Sequence, residues 1–110
     1  PDIEFPVLAA HVWFSEVRSP WSKPDTLSPV LGVHDGRTYA LLYNGILGDK
    51  SVSGGNVLTR KTLAVIRDVL PEGFVGPITV YGERSALSDA SLVREQITFK
   101  QTPYDVKARA

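Results

Sequence analysis

Tyr43-Asn-Gly-Ile-Leu-Gly-Asp-Lys-Ser-Val-Ser-Gly-Gly-Asn-Val-Leu-Thr59 is the stretch on which the reading of the fold turns. It holds four of the chain's nine glycines, and the apolar run Thr38-Tyr-Ala-Leu-Leu-Tyr43 leads into it. At its far end Thr59 is placed as an N-cap, because Leu63, Ile66 and Leu70 follow at i, i+3 and i+7, the spacing of one helical face. A buried strand, a polar glycine-bent junction and a capped helix are therefore expected in that order. That sequence of elements is the repeating unit of an α/β fold.

Working back from this stretch, Leu31-Gly-Val-His34 and Thr38–Tyr43 flank Asp35-Gly36, a dipeptide suited to a two-residue hairpin turn. The return strand is almost continuously apolar, as a strand covered on both faces should be. Before it, Ser19 to Pro29 contains three prolines and reads as irregular loop, with Trp21 as an anchor onto the core or a contact for a partner. Pro6 to Val17 reads as a helix, with Pro6 in its first turn and Val7, Ala10, Phe14 and Val17 forming one apolar stripe that Trp13 widens. His11 lies off that stripe and reads as a surface histidine.

Working forward, Pro71-Glu-Gly73 should end the helix that Thr59 starts. Ile78-Thr-Val-Tyr81 reads as a strand leading into Gly82-Glu83. Ser88 should cap another helix, with Leu87 and Leu92 spaced as a hydrophobic staple across the cap. Ile97-Thr-Phe99 is a last strand, and Pro103 with the charged tail ends the fold. The expected class is α/β: a small mixed, mostly parallel sheet with helices packed on it, in the order α-β-β-α-β-α-β. Tyr39–Tyr43, Ile78–Tyr81 and Ile97–Phe99 are expected to pair in parallel through right-handed crossovers.

Composition narrows the function. One hundred and ten residues, 43% of them hydrophobic, suit one domain with a real core. The absence of cysteine excludes disulfides, thiolate metal sites and a cysteine nucleophile. No apolar run reaches the roughly 20 residues of a membrane span. The first residues, Pro1-Asp-Ile-Glu4, are not those of a signal peptide, and a cytoplasmic location is expected. The absence of methionine suggests a piece of a longer polypeptide. Twelve basic and twelve acidic residues cancel, so bulk electrostatic binding of nucleic acid is disfavoured and at most a local patch is expected.

Three groups of residues could carry chemistry. The run from Gly54 to Thr62 turns into a helix start with Arg60 and Lys61 beside it, which could hold a phosphate, although a tight loop with an ordinary cap is the preferred reading. It is not a P-loop, because Asp49 separates Gly48 from Lys50. Asp49, Lys50, Glu83 and Lys100 could form a nuclease-like cluster, since Asp49 and Glu83 both follow apolar strands, but they match no compact metal motif. His34 beside Asp35 reads as a hairpin-edge residue, since no serine or second carboxylate completes a site. Gln101-Thr-Pro-Tyr-Asp105 reads as a chain exit.

Three blocks together resemble a known family: Tyr39–Thr59, Val80–Leu87 ("VYGERSAL") and Ile97–Arg109 ("ITFKQTPYDVKAR"). They are similar, in the same order, to the C-terminal region of bacterial site-specific adenine DNA methyltransferases. Those enzymes are the modification subunits of type III-like restriction–modification systems. The likeness spans about two-thirds of the chain and is least distinct over the first 38 residues.

The family's catalytic core carries a DPPY-type motif for the target adenine and a Phe-x-Gly-x-Gly-type motif for S-adenosylmethionine. Neither is present: Pro103-Tyr104 lacks the preceding Asp-Pro. The resemblance therefore implies a single non-catalytic domain over residues 1–110, excised from a larger enzyme. It implies no catalytic, cofactor-binding or metal-binding residue here, with S-adenosylmethionine held by the parent. The implied partners are the rest of the parent methyltransferase, the restriction subunit, DNA, or a second copy in a homodimer, and no membrane. Lys50, Arg60, Lys61 and Lys100 are the expected contacts to the DNA backbone. A free-standing metal-dependent nuclease-like domain using Asp49, Glu83 and Lys100, and a plain interaction module using Trp21 and the proline loop, are the alternatives.

Overall fold

The computed structural model describes residues 4–25, 28–43, 57–70, 74 and 76–102. Among the described residues three helices and six strands follow in the order α1 (Phe5–Val17), β1 (Val30–His34), β2 (Arg37–Leu41), β3 (Val57–Leu58), α2 (Arg60–Val69), β4 (Ile78–Gly82), β5 (Arg84–Ser85), α3 (Asp89–Arg94) and β6 (Ile97–Gln101). The glycine-rich junction from Asn44 to Asn56, the expected helix stop at Pro71–Gly73 and the tail from Pro103 lie outside the described residues.

The main sheet has the order β1-β2-β4-β6. β1 pairs antiparallel with β2, and β2, β4 and β6 run parallel, as expected. The hairpin turn follows from its two residues. Asp35 and Gly36 take φ of 54° and 75°, both in the left-handed region that the primed two-residue turn requires.

Strand alternation sends two sets of side chains to opposite faces. Ala40, Leu42, Ile78, Val80 and Ile97 meet Leu63, Ile66 and Leu70 of α2, with Leu87 and Leu92 packed alongside. Tyr39, Leu41 and Tyr81 meet Phe5, Leu8, Ala9 and Val12 of α1, with Trp13 and Trp21 alongside. The sheet is thus covered on both faces, which explains the nearly unbroken apolar character of β2 and β4.

The structure corrects the expected stripe of α1. Its buried residues are Phe5, Leu8, Ala9 and Val12, whereas Val7 is 47% and Phe14 52% exposed. The helix has only His11, Ser15 and Glu16 as polar residues between Phe5 and Val17, so two apolar stripes compete and spacing alone cannot choose between them. The sheet chooses the one that ends in Glu16.

A second departure is a small parallel sheet of β3 and β5, with Val57 opposite Arg84 and Leu58 opposite Ser85. Two-residue strands carry too little periodicity to be read from the sequence. Their effect is large: β3 leads straight into α2 and β5 into α3, so pairing them sets the starts of these two helices side by side.

Candidate functional site

Both caps form where the sequence placed them. Thr59 Oγ1 accepts from the Thr62 amide at 3.1 Å, and Thr62 Oγ1 accepts from the Thr59 amide at 2.8 Å, a reciprocal capping box. Thr62 Oγ1 also donates to the Val57 carbonyl at 2.9 Å, tying the helix start to β3. At α3, Ser88 Oγ accepts from the Ser91 amide at 3.1 Å.

This neutral capping leaves the first turn of α2 with Arg60 and Lys61 and no acidic residue. The positive end of the helix dipole ordinarily favours anions there. Arg60 reaches across to α3, where its Nη2 donates to Ser91 Oγ at 3.5 Å, and Nη2 of Arg94 donates to the same oxygen at 3.2 Å. Ser91 is buried, and its hydroxyl also meets Ser88 Oγ at 3.1 Å.

A neutral hydroxyl can accept from two guanidiniums but cannot offset their charge. Glu95 supplies negative charge nearby. It lies 2.8 Å from Arg67 Nη2 and 3.9 Å from Arg94 Nε. At the junction of α2 and α3, Arg60 and Arg94 thus share the Ser91 hydroxyl, and Arg67 and Arg94 share the Glu95 carboxylate. Arg60 and Arg94 are both exposed, and a guanidinium is a planar donor fork of the kind that suits an anion such as a phosphate.

The four cations expected at a DNA backbone do not form one patch. Arg60 and Lys61 are exposed at the start of α2. Lys100 stands opposite Tyr81 in the β4–β6 register, on the face toward α1, and its Nζ lies 2.7 Å from Glu16 Oε2. The sheet separates it from the α2 side. Lys50 lies outside the described residues. Arg94, which sequence reading passed over, joins Arg60 instead. Its only sequence signal is its place in the last turn of a short helix, where a basic residue is ordinary.

The nuclease-like cluster is not assembled among the described residues. Glu83 is exposed, Lys100 is engaged by Glu16, and Asp49 lies outside them. No group of three or more His, Cys, Asp or Glu residues is placed there to hold a metal ion. His11 is exposed, and His34 sits at the open edge of the hairpin with Nε2 3.8 Å from Asp35. Trp21 anchors its loop: its indole N–H donates to the Leu31 carbonyl at 3.1 Å, and its ring meets Phe5 edge-on.

A second polar group lies under the C-terminal end of α1. Tyr81 donates its hydroxyl hydrogen bond to Glu16 Oε2, the oxygen that also meets Lys100. Arg37 donates to Thr79 Oγ1 at 3.0 Å on the same face. Burial acts to raise the Glu16 carboxyl, but hydrogen bonds from Lys100 and Tyr81, with the charges of Lys100 and Arg37, outweigh it and hold the group below its ordinary value. Burial first, then the Glu16 hydrogen bond and charge, push the Tyr81 phenol well up.

Among the described residues no helix is long and apolar enough to cross a membrane. Comparison with protein-family models, with curated proteins and with solved structures finds no match to this chain.

Proposed function

We propose that this chain is a non-catalytic accessory domain of a site-specific adenine DNA methyltransferase of the type III-like kind, and that it holds the DNA backbone at the junction of α2 and α3. The three-block resemblance motivates the parent enzyme. The observation that carries the DNA contact is the convergence of Arg60 and Arg94 on Ser91 Oγ beside a first turn rich in positive charge. Such contacts position a protein on DNA without reading its sequence. The rest of the parent, or its restriction subunit, would supply target recognition, and the parent core would supply S-adenosylmethionine and the methyl transfer. A cytoplasmic location goes with this reading.

Fluorescence anisotropy of a labelled DNA duplex, titrated with the 110-residue chain over a range of salt, tests it. Binding should weaken steeply with salt. Arg60→Ala and Arg94→Ala should each reduce the log–log salt slope by about one. Equal affinities and slopes for wild type and the double variant would remove the contact from these residues. Calorimetry with S-adenosylmethionine should give no binding heat, and saturable binding would overturn the non-catalytic assignment.

A further inference from the structure

The main sheet has two outer strands, and the chain treats them differently. β1 is guarded. Its register is broken between Val30 and Gly32, the Trp21 indole N–H occupies the Leu31 carbonyl, and the Ser28 hydroxyl donates to the Val30 carbonyl at 3.1 Å. Such devices keep an edge from pairing with another chain. Among the described residues β6 carries none of them. Its five residues, Ile97–Gln101, keep an unbroken parallel register with β4 and include no proline.

Only half of the β6 backbone is used by that pairing. Ile78 donates to the Gln96 carbonyl at 3.0 Å, and Thr102 donates to the Gly82 carbonyl at 2.8 Å. In a parallel ladder these two bonds fix the alternation. The amides and carbonyls of Thr98 and Lys100 face β4, and those of Ile97, Phe99 and Gln101 face outward. No strand lies beside them among the described residues. The two faces along this edge differ in character. On the α3 side Phe99 is half-buried and Val93 is 78% exposed. Leu92 packs into the core and Ser91 is turned toward Arg60, so Val93, two positions after Ser91, is on the flank of α3 away from α2. The sheet steps from β2 to β4 to β6 with α2 and α3 between, so that flank overlooks the free edge. On the α1 side Thr98 and Lys100 are exposed.

We propose that the outer edge of β6 takes an extended segment of another polypeptide as an added strand. The segment alternates apolar and polar residues, with its apolar side chains on Val93 and Phe99 and its polar ones beside Thr98 and Lys100. A row of outward amides and carbonyls at strand spacing is matched by an extended backbone, whose own groups alternate at the same interval. Five residues of strand span about 17 Å. One added strand of that length buries less than the roughly 1,000 Å² of an interface between folded proteins, so the edge suits a peptide segment rather than a folded surface. Val93 and Ser91 are on opposite flanks of α3, and the proposal does not depend on the DNA contact.

Backbone amide NMR of the chain, titrated with a short synthetic peptide of alternating valine and threonine with a lysine at each end, tests this. Exchange of the Ile97, Phe99 and Gln101 amides should be fast in the free chain and slow by on the order of tenfold or more at saturating peptide. The Thr98 and Lys100 amides, already in the ladder, should change less. N-methylation of every second peptide residue should abolish binding in one register and spare it in the other, because only alternate peptide amides face β6. Val93→Lys, with folding checked by circular dichroism, should weaken binding by on the order of tenfold. No binding at millimolar peptide overturns the proposal, as does equal loss for the two N-methylated peptides. Unchanged binding by Val93→Lys overturns the stated polarity of the segment. Protection of the same amides that grows with chain concentration alone would make the occupant a second copy and overturn it too.

Discussion

Glu16 of α1 and Lys100 of β6, 84 positions apart in the chain, are joined by an ion pair of 2.7 Å between Oε2 and Nζ. The same carboxylate oxygen accepts from Tyr81, so the last turn of α1 is fastened to two parallel strands at one point. The Lys100 side chain is 46% exposed and that of Glu16 15%, so the two partners should not be equally costly to lose.

Lys100→Ala should lower stability by no more than about 1 kcal/mol, the usual range for a pair with one solvated member. Glu16→Ala should cost more, about 1–3 kcal/mol, because it strands the buried Tyr81 hydroxyl. Urea denaturation of the two variants checks the order. If Lys100→Ala proves the costlier, Tyr81 does not depend on the carboxylate.

The pH dependence follows from the sign of the shift. The Glu16 carboxyl is held lower in the folded state than its ordinary value. The folded protein therefore favours the ionised form. That stabilisation is present above the unfolded pKa and is lost as pH falls through the folded one. The stability difference between wild type and Glu16→Gln should be largest near neutral pH and shrink on acidification. A difference that stays constant from neutral to strongly acidic pH would contradict the linkage.

Gly32 should not tolerate a side chain. A Cβ built there would lie 2.9 Å from Trp13 Cη2 and 3.0 Å from Cζ3, inside any normal contact. The indole cannot easily move away, since it also packs edge-on against Tyr39 with ring centroids 5.7 Å apart. Gly32→Ala should cost about 1–3 kcal/mol. Part of that cost should disappear in a Trp13→Leu background, giving a non-additive double-mutant cycle. Strict additivity in thermal or urea melts would mean that the ring is not what Gly32 makes room for.

Thr62 does more than its neighbour in the capping box. Thr59→Ala should cost about 1 kcal/mol, the ordinary value for a lost N-cap. Thr62→Val should exceed it, because it removes the acceptor for the Thr59 amide and the donor to the Val57 carbonyl at a buried site. Equal losses for the two variants in chemical denaturation would show that the tie to β3 contributes little.

Thr38 predicts the opposite sign. Its side chain is fully buried, and Oγ1 has no hydrogen-bond partner among the described residues. Thr38→Val keeps the shape and removes a desolvated hydroxyl, so it should leave stability unchanged or raise it by up to about 1 kcal/mol. A clear loss in urea denaturation would show that the hydroxyl is hydrogen-bonded in solution.

Much of the fold was legible in the chain because the signals are local. Asp35-Gly36 can turn a hairpin by itself, Thr59 and Ser88 cap helices through their own third neighbours, and two-faced apolar runs mark β2 and β4 as interior strands. The strands β3 and β5 were not legible, because two residues show no period and their pairing joins positions far apart in the chain. The candidate site was legible in part for the same reason. Arg60 and Lys61 could be placed at a helix start, but nothing near Arg94 in sequence points to Arg60.

The chain alone thus determined the α/β class, the hairpin, the caps and the parallel pairing, all of which rest on contacts within a few residues or on repeated spacing. Tertiary structure decided which apolar side of α1 meets the sheet, whether Lys100 faces solvent or Glu16, and which two arginines share Ser91. Each of those depends on how elements distant in sequence are brought together by packing, and a side chain's neighbours across such a contact leave no mark on the residues beside it in the chain.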